Sequence, residues 1–138
     1  MNNRKSGFTL VELMVVAIIV AILAAVAIPL MSANKKRAMS TEAEAALGTI
    51  RTALRAMYAQ SGAYNLDIDG NPIANGISPT NLSGLLPGDL DGKYFDEDDY
   101  TLTTLGASTY TVTAVGTGQV QGVTVTLNDA GDFTRTGL

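Results

Sequence analysis

The sequence predicts an α+β fold in which one long N-terminal helix packs against a C-terminal antiparallel β-sheet. From Leu13 to Met31 no side chain is charged, and beyond Met31 apolar residues recur every three or four positions, which is typical of an amphipathic helix. After a segment rich in glycine, proline and acidic residues, three short stretches alternate apolar residues with threonines, as strands with one buried face do. At 138 residues, the chain is long enough for one modest core.

The composition excludes several kinds of chemistry. The chain has no cysteine and no histidine, so disulfides, thiolate metal sites and the usual nucleophile–base pairs cannot form. The formal charge of −4 argues against nucleic acid as the primary ligand. No carboxylate pair is flanked by the rest of an active site, and no phosphate-binding glycine loop is present. We therefore predict that the protein is not an enzyme and binds no cofactor.

The first half of the helix is long enough to span a membrane. Its 19 uncharged residues, Leu13 to Met31, rise by roughly 28 Å, which is about the thickness of a bilayer's hydrocarbon core. A cleaved secretory signal would have a shorter apolar region, and this run continues past the small residues Ala25 and Ala27. A retained membrane span is therefore favoured over a signal peptide. Basic residues flank the run on both sides, so the positive-inside rule does not decide its orientation.

The helix is predicted to continue out of the membrane to Ser61, with Gly62 as its stop. Pro29 removes one backbone donor and should kink or loosen it locally. The apolar stripe beyond the membrane favours packing against a sheet over a cofactor site, and comprises Met39, Ala43, Ala46, Ile50, Leu54 and Met57, with Leu47 beside it. The charged residues predicted to lie away from this stripe are Glu42, Glu44, Arg51 and Arg55.

The rest of the chain is predicted to be a loop followed by a β-meander. The predicted strands start at Tyr100, Thr109 and Val123, with a short last strand near the C-terminus. The pairs Tyr100/Leu102 and Tyr110/Val112 and the set Val123/Val125/Leu127 should face inward. Within the loop, "TNLSGLL" predicts a short helical turn capped by Thr80. The predicted divisions are an N-terminal segment (1–7), the membrane-spanning part of the helix (8–31), its amphipathic continuation (32–61), the loop (62–99) and the β-meander (100–138).

The N-terminal stretch "KSGFTLVEL" resembles the class III signal of type IV prepilins and type II secretion pseudopilins. In that family a short basic leader ends in glycine, and Phe-Thr-Leu-x-Glu-Leu opens a long apolar helix with Ile-Pro near its end. Here the leader is residues 1–7, the first mature residue Phe8, the glutamate Glu12 and the Ile-Pro pair Ile28-Pro29. The motif is specific because leader, glycine, phenylalanine, glutamate and apolar length all agree. The resemblance implies a pilin-like fold.

The resemblance also implies how the N-terminus is processed. A prepilin peptidase would cut between Gly7 and Phe8 and methylate the new amine of Phe8. Cleavage removes two of the nine basic residues, leaving seven against 13 acidic residues and a formal charge of −6. Glu12 lies one helical turn after Phe8, so its carboxylate could pair with that amine in its own chain or in a neighbour, fixing the register of a polymer. The alternative is that Glu12 only offsets the helix dipole at the head-group boundary.

By resemblance, the expected function is that of a major pilin in a type IV pilus. Phe8, Glu12 and Pro29 are the expected assembly residues. The expected partners are further copies of the chain, the prepilin peptidase and the pilus assembly machinery. The precursor would lie in the inner membrane and the product in a surface filament. One alternative is the major pseudopilin of a type II secretion system, which acts in the periplasm. A second is a membrane-anchored β-domain that binds a ligand without polymerising.

Two acidic stretches are weak candidates for a metal site. "DIDGN" places Asp67, Asp69 and Asn71 at alternate positions around a glycine, like the start of a calcium loop. It lacks the glycine placement and distal glutamate of an EF-hand, so a solvated turn is favoured. The run from Asp96 to Asp99 could hold a hard cation, but acidic runs are usually solvated. The sequence therefore predicts no metal site.

Overall fold

The computed structural model describes residues 7–138, and the chain forms two compact units that divide after Lys35. Of the leader predicted at residues 1–7, all but Gly7 lies outside the described residues. The secondary structure is one long helix followed by a four-stranded antiparallel sheet. The predicted fold class is therefore confirmed.

Helix α1 spans Leu10–Ser61, 52 residues without a break. Pro29 lies inside α1 and does not end it, so its missing N–H removes one hydrogen bond only. The helix ends where predicted: the N–H of Gly62 donates to the carbonyl of Tyr58 at 2.8 Å, and Gly62 has a φ of 79°, which favours glycine. In the first unit, α1 contains an 18-residue window apolar enough to cross a membrane, and none of that window is buried.

In the second unit, one face of α1 is buried in the core. The buried residues on this face are Met39, Ser40, Ala43, Leu47, Ile50, Ala53, Leu54 and Met57. The predicted stripe is confirmed except at its centre, because Leu47 is fully buried and Ala46 only half-buried. The buried face of the helix is therefore rotated slightly about the helix axis relative to the prediction, and Leu47, which is larger than Ala46, occupies its centre.

The sheet is a meander with the strand order β1-β2-β3-β4. Its strands are β1 (Tyr100–Leu105), β2 (Tyr110–Val115), β3 (Thr124–Asn128) and β4 (Phe133–Thr136). Every side chain predicted to face inward from the first three strands is buried, so their predicted alternation is confirmed. Strands β2 and β3 begin one residue later than predicted. Val123 lies just before β3, and its carbonyl accepts the N–H of Gly116, just after β2, at 2.8 Å.

The segment between α1 and β1 contains short turns. One of them is the 3-10 helix Pro79–Asn81, and the prediction that Thr80 caps it was wrong. Ser78 is the N-cap, and its hydroxyl accepts the N–H of Thr80 at 3.4 Å. Pro79 has no N–H and is favoured in the first turn of a helix, which moves the start of this turn before Thr80.

Three of the charged helix residues make tertiary contacts, although the sequence placed them away from the packing face. Glu42 Oε1 accepts the backbone N–H groups of Tyr94 and Phe95 at 2.7 and 2.9 Å. Glu44 forms an ion pair with Arg135 of β4. The guanidinium of Arg51 donates to the carbonyl of Ala130 at 3.3 Å. These residues flank the apolar stripe, where the loops and β4 reach them; Arg55 is exposed, as predicted.

Candidate functional site

The start of α1 is capped by two of its own side chains. Thr9 immediately precedes the helix, and Glu12 is its third residue. The backbone N–H and the hydroxyl of Thr9 both donate to Glu12 Oε2 at 2.8 Å, and the N–H of Glu12 donates to the Thr9 hydroxyl at 3.3 Å. This reciprocal arrangement is a capping box, which satisfies backbone donors that have no partner inside the helix.

The capping box was missed from the sequence, although its signal was visible. Threonine followed three residues later by glutamate, just before an apolar run, is the usual signature. In the structure, Glu12 therefore caps its own helix, a role that was not predicted for it. That role uses only Oε2, since Oε1 accepts no hydrogen bond among the described residues.

The residues predicted for cleavage and assembly lie at two places along α1. Gly7, Phe8 and Glu12 are grouped at its N-terminal end, where a Cβ on Gly7 would meet nothing within 4 Å and the Phe8 side chain is 86% exposed. Gly7 therefore leaves its backbone open to an approaching enzyme. Pro29 lies 17 residues beyond Glu12, roughly 25 Å along the helix axis. Cleavage, methylation and assembly at these residues stay predictions.

The apolar segment between these two places is uncovered. Its large side chains are all at least half exposed: Leu13, Met14, Val15, Val16, Ile18, Ile19, Val20, Ile22, Leu23, Val26, Ile28, Leu30 and Met31. A contiguous apolar surface of this size is not stable in water and marks a contact with lipid or with protein. The segment therefore requires a membrane or other apolar helices around it.

The turn predicted as a weak metal candidate is closed by its own hydrogen bonds. Asp67 Oδ1 accepts the N–H groups of Asp69 and Asn71 at 2.9 and 2.7 Å, and Oδ2 accepts the side-chain amide of Asn71 at 3.0 Å. These bonds, with that from the Asn71 side chain first, hold the pKa of Asp67 below its usual value. Within residues 7–138, no group of three acidic residues is arranged to hold a metal ion.

The acidic residues nearer the sheet also bind backbone groups. The carboxylates of Asp89, Asp91 and Glu97 accept the N–H groups of Leu86, Glu97 and Gly88 at 2.9, 3.0 and 2.6 Å. Asp99 accepts the N–H of Asp96 at 3.1 Å. The acidic loop is therefore a set of turns fixed by its carboxylates rather than a chain of free charges.

Comparison with known proteins bears on the N-terminal segment first. Residues 2–28 match the family model described as the prokaryotic N-terminal methylation motif. Over 97 residues the chain is 37% identical to the type IV major pilin protein PilE1 of Neisseria gonorrhoeae, a match that covers 70% of this chain and 53% of the relative. The chain is a type IV pilin-like protein. Over 64 residues it is 39% identical to the type IV major pilin protein PilA of Myxococcus xanthus (strain DK1622), covering 46% of this chain and 29% of that one.

A solved structure supports the fold of this pilin-like protein. The non-core minor pilin PilV of Neisseria meningitidis superposes with a TM-score of 0.51 over 76% of this chain and 90% of that one, at 19% identity. The chain spans about half the length of the PilE1 sequences it matches, 53% and 48%. The family resemblance is confirmed. The motif and the apolar helix indicate a membrane-anchored precursor.

Calcium should not stabilise the Asp67 turn. Two of the carboxylate's hydrogen-bonding positions already bind backbone groups, and a cation would have to displace them or bind to Asp69 alone. We expect the melting temperature of the full chain in detergent micelles to be the same with millimolar calcium and with a chelator. A rise that Asp69→Ala or Asn71→Ala removes would establish the site instead.

Acid should weaken the contribution of Asp67 to stability. Because the folded-state pKa is depressed below the ordinary value of 3.8, the contribution is fully present above that value and is lost as pH falls through the folded pKa. We expect Asp67→Asn to lower the free energy of unfolding near neutral pH and to differ progressively less from the parent chain as the pH falls. Urea titrations of both chains in micelles measure this, and a difference that is constant with pH would contradict it.

Proposed function

We propose that this protein is the major structural subunit of a type IV pilus, cut between Gly7 and Phe8, methylated at Phe8 and assembled through α1. The observation that carries the proposal is the uncovered apolar segment from Leu13 to Met31, next to a single carboxylate at Glu12. In the membrane, lipid covers this segment before assembly. In a filament, the same surface is covered by the helices of neighbouring copies.

The capping box suits Glu12 to the proposed role in register. Thr9 orients the carboxylate through Oε2, and Oε1 remains available to the methylated amine of a neighbouring Phe8. A carboxylate surrounded by apolar helices is costly unless a cation pairs with it. A copy whose Glu12 meets a neighbour's amine is therefore favoured over one that docks out of register.

Two further functions are kept as alternatives. Leu86-Pro87 and Asp89 partly match the Leu-Pro-x-Asp-Pro-Trp-Gly stretch typical of major pseudopilins, but the chain has no tryptophan and no second proline there. That departure favours the pilus. The second alternative is a membrane-anchored β-domain that binds a ligand and never polymerises, for which Glu12 would be dispensable.

Electron microscopy of sheared cells, with mass spectrometry of the sheared material, tests the proposal. We expect long surface fibres in which this chain is the most abundant protein and begins with N-methylated Phe8. Short periplasmic fibres would favour the pseudopilin. Long fibres in which this chain is scarce would assign it a minor position, and a chain that still begins at Met1 would overturn the cleavage site.

High salt should leave the fibres intact, and detergent should dismantle them. Burial of the segment from Leu13 to Met31 is insensitive to salt, whereas exposed ion pairs contribute little and are screened within roughly 8 Å at physiological salt. Purified fibres can be incubated in molar salt and, separately, in a micelle-forming detergent, then pelleted and weighed. Disassembly in salt alone would show that charge contacts between the second units hold the filament together.

A further inference from the structure

We propose that a surface formed by Arg55, Tyr58 and Tyr64 binds the turn Asp67–Gly70 of a second copy of this chain. We call the first surface the tyrosine platform and the second the acidic turn. The proposal rests on the proposed function, because it identifies where the second units of neighbouring copies meet in the filament. Both surfaces lie within residues 36–138 and are described by contacts inside that unit.

The tyrosine platform combines packed aromatic rings with the charged side chain of Arg55. The rings of Tyr58 and Tyr64 lie 4.5 Å apart between centroids, and Tyr64 meets the buried ring of Tyr110 edge-on at 4.8 Å. Tyr58 remains 40% exposed on top of this stack. Arg55 lies one helical turn before Tyr58 on the same face and, among the described residues, forms no ion pair or side-chain hydrogen bond.

The acidic turn presents the opposite chemistry in a fixed shape. Hydrogen bonds to the Asp67 carboxylate and a bridge between Leu66 and Pro72 hold its backbone. Ile68, at its tip, is 48% exposed. The carboxylate of Asp69 accepts no hydrogen bond within residues 7–138. A free carboxylate therefore stands beside an exposed apolar side chain.

The two surfaces are complementary, because each has an apolar side chain beside a charged one and the charges are opposite. Ile68 can cover the exposed face of Tyr58 while Asp69 pairs with Arg55, so that apolar area and charge are satisfied together. The backbone of the turn and the rings of the platform are already held, so contact orders mainly the side chains of Arg55 and Asp69. Because the platform and the turn are different surfaces, their contact is heterologous and can repeat along an open helical array.

The remaining acidic turns fit the platform less well. Besides Ile68, Leu86 is the exposed large hydrophobic side chain of residues 62–99, at 68%, but the neighbouring Asp89 carboxylate accepts the N–H of Leu86. Asp91, Glu97 and Asp99 are likewise bound to backbone groups. Asp98 is exposed, but no exposed large hydrophobic residue stands next to it in the sequence. Leu86 therefore serves as the competing contact in the test.

Cysteine cross-linking in fibres tests the contact, because the native chain contains no cysteine. Cells would co-express Tyr58→Cys and Ile68→Cys chains, so that only a contact between copies can join them, and the sheared fibres would be oxidised. We expect covalent dimers from the mixed fibres and none from fibres of either variant alone. Fibres mixed from Tyr58→Cys and Leu86→Cys are the matched control and should give no dimer.

A charge exchange supplies an independent measurement that does not depend on cysteine. Arg55→Asp and Asp69→Arg should each lower filament yield by up to about fivefold, the effect of one exposed ion pair, and the double variant should restore it. Intact fibres without mixed dimers, or with dimers through Leu86 instead, would overturn this contact and leave the pilus proposal standing. Absence of fibres from the parent chain would overturn both.

Discussion

Replacing Glu12 with alanine should abolish surface filaments while the precursor stays in the membrane. Two functions are lost together: the carboxylate proposed to pair with a neighbour's Phe8 amine, and the acceptor for both Thr9 donors. The pairing is the larger of the two, because an amine left without its partner among apolar helices opposes docking of every copy. Counting filaments by electron microscopy, with immunoblots of membrane fractions for the precursor, measures both results.

Two further substitutions separate the capping contact from the charge. Thr9→Ala removes the cap and keeps the carboxylate, which should cost about 1 kcal/mol of helix stability and leave filaments present. Glu12→Gln keeps an acceptor for Thr9 and removes the charge, so we expect it to lose filaments as Glu12→Ala does. Normal filament yield from both Glu12 variants would exclude the register role proposed for Glu12.

The parts of the fold that were predicted correctly depend on local patterns. A spacing of three and four residues places Met39, Ile50 and Met57 on one face of a helix, whichever sheet covers it. Alternation in "YTLTTL" and "TYTVTAV" places tyrosine and valine on one face of a strand in the same way. Gly62 ends α1 as predicted because glycine adopts a positive φ, here 79°, without the steric cost that a Cβ would bring, and this depends on the residue type and not on distant contacts.

The features that the sequence did not predict correctly are of two kinds. Some depend on contacts between residues distant in sequence, and one depends on a choice between two neighbouring residues that could both cap the same helix. Nothing near Glu42 in the sequence shows that its carboxylate binds the backbone 52 and 53 residues later. Glu44 pairs with Arg135 across 91 residues, again without a local pattern. The cap at Ser78 was misplaced at Thr80 because both are good caps and only the position of Pro79 separates them.

The sequence alone also places the candidate assembly residues, and their role stays a prediction. The apolar run and the residues from Gly7 to Glu12 form a contiguous motif, so the sequence places them together without a tertiary structure. What it did not provide was the geometry of the glutamate, whose two oxygens are in different environments. The tyrosine platform was also invisible, because Tyr58, Tyr64 and Tyr110 come together only after α1, the loop and β2 have packed.

Glu42 is the polar side chain whose loss should destabilise the second unit most. Its Oε1 atom accepts two backbone N–H groups, from Tyr94 and from the fully buried Phe95. The Cα of Gly92 lies against this carboxylate, since a Cβ there would collide with the Glu42 side chain. Thus one helix residue fixes the turn from Gly92 to Phe95, which leads the chain into β1.

Glu42→Ala should lower the free energy of unfolding by about 3 kcal/mol, because two donors near the core lose a charged acceptor. Gly92→Ala should destabilise the same turn by displacing the carboxylate. Combining the two substitutions should cost much less than the sum of the separate effects, since both break the same contact.

Glu44→Ala, two residues along α1, is the matched control: its partner Arg135 lies on the exposed strand β4, so the loss of unfolding free energy should be much smaller. Urea unfolding of the full chain in micelles, followed by tyrosine circular dichroism, measures all four chains. Equal losses from Glu42→Ala and Glu44→Ala would mean that the turn is held by the apolar burial of Phe95 and not by the carboxylate.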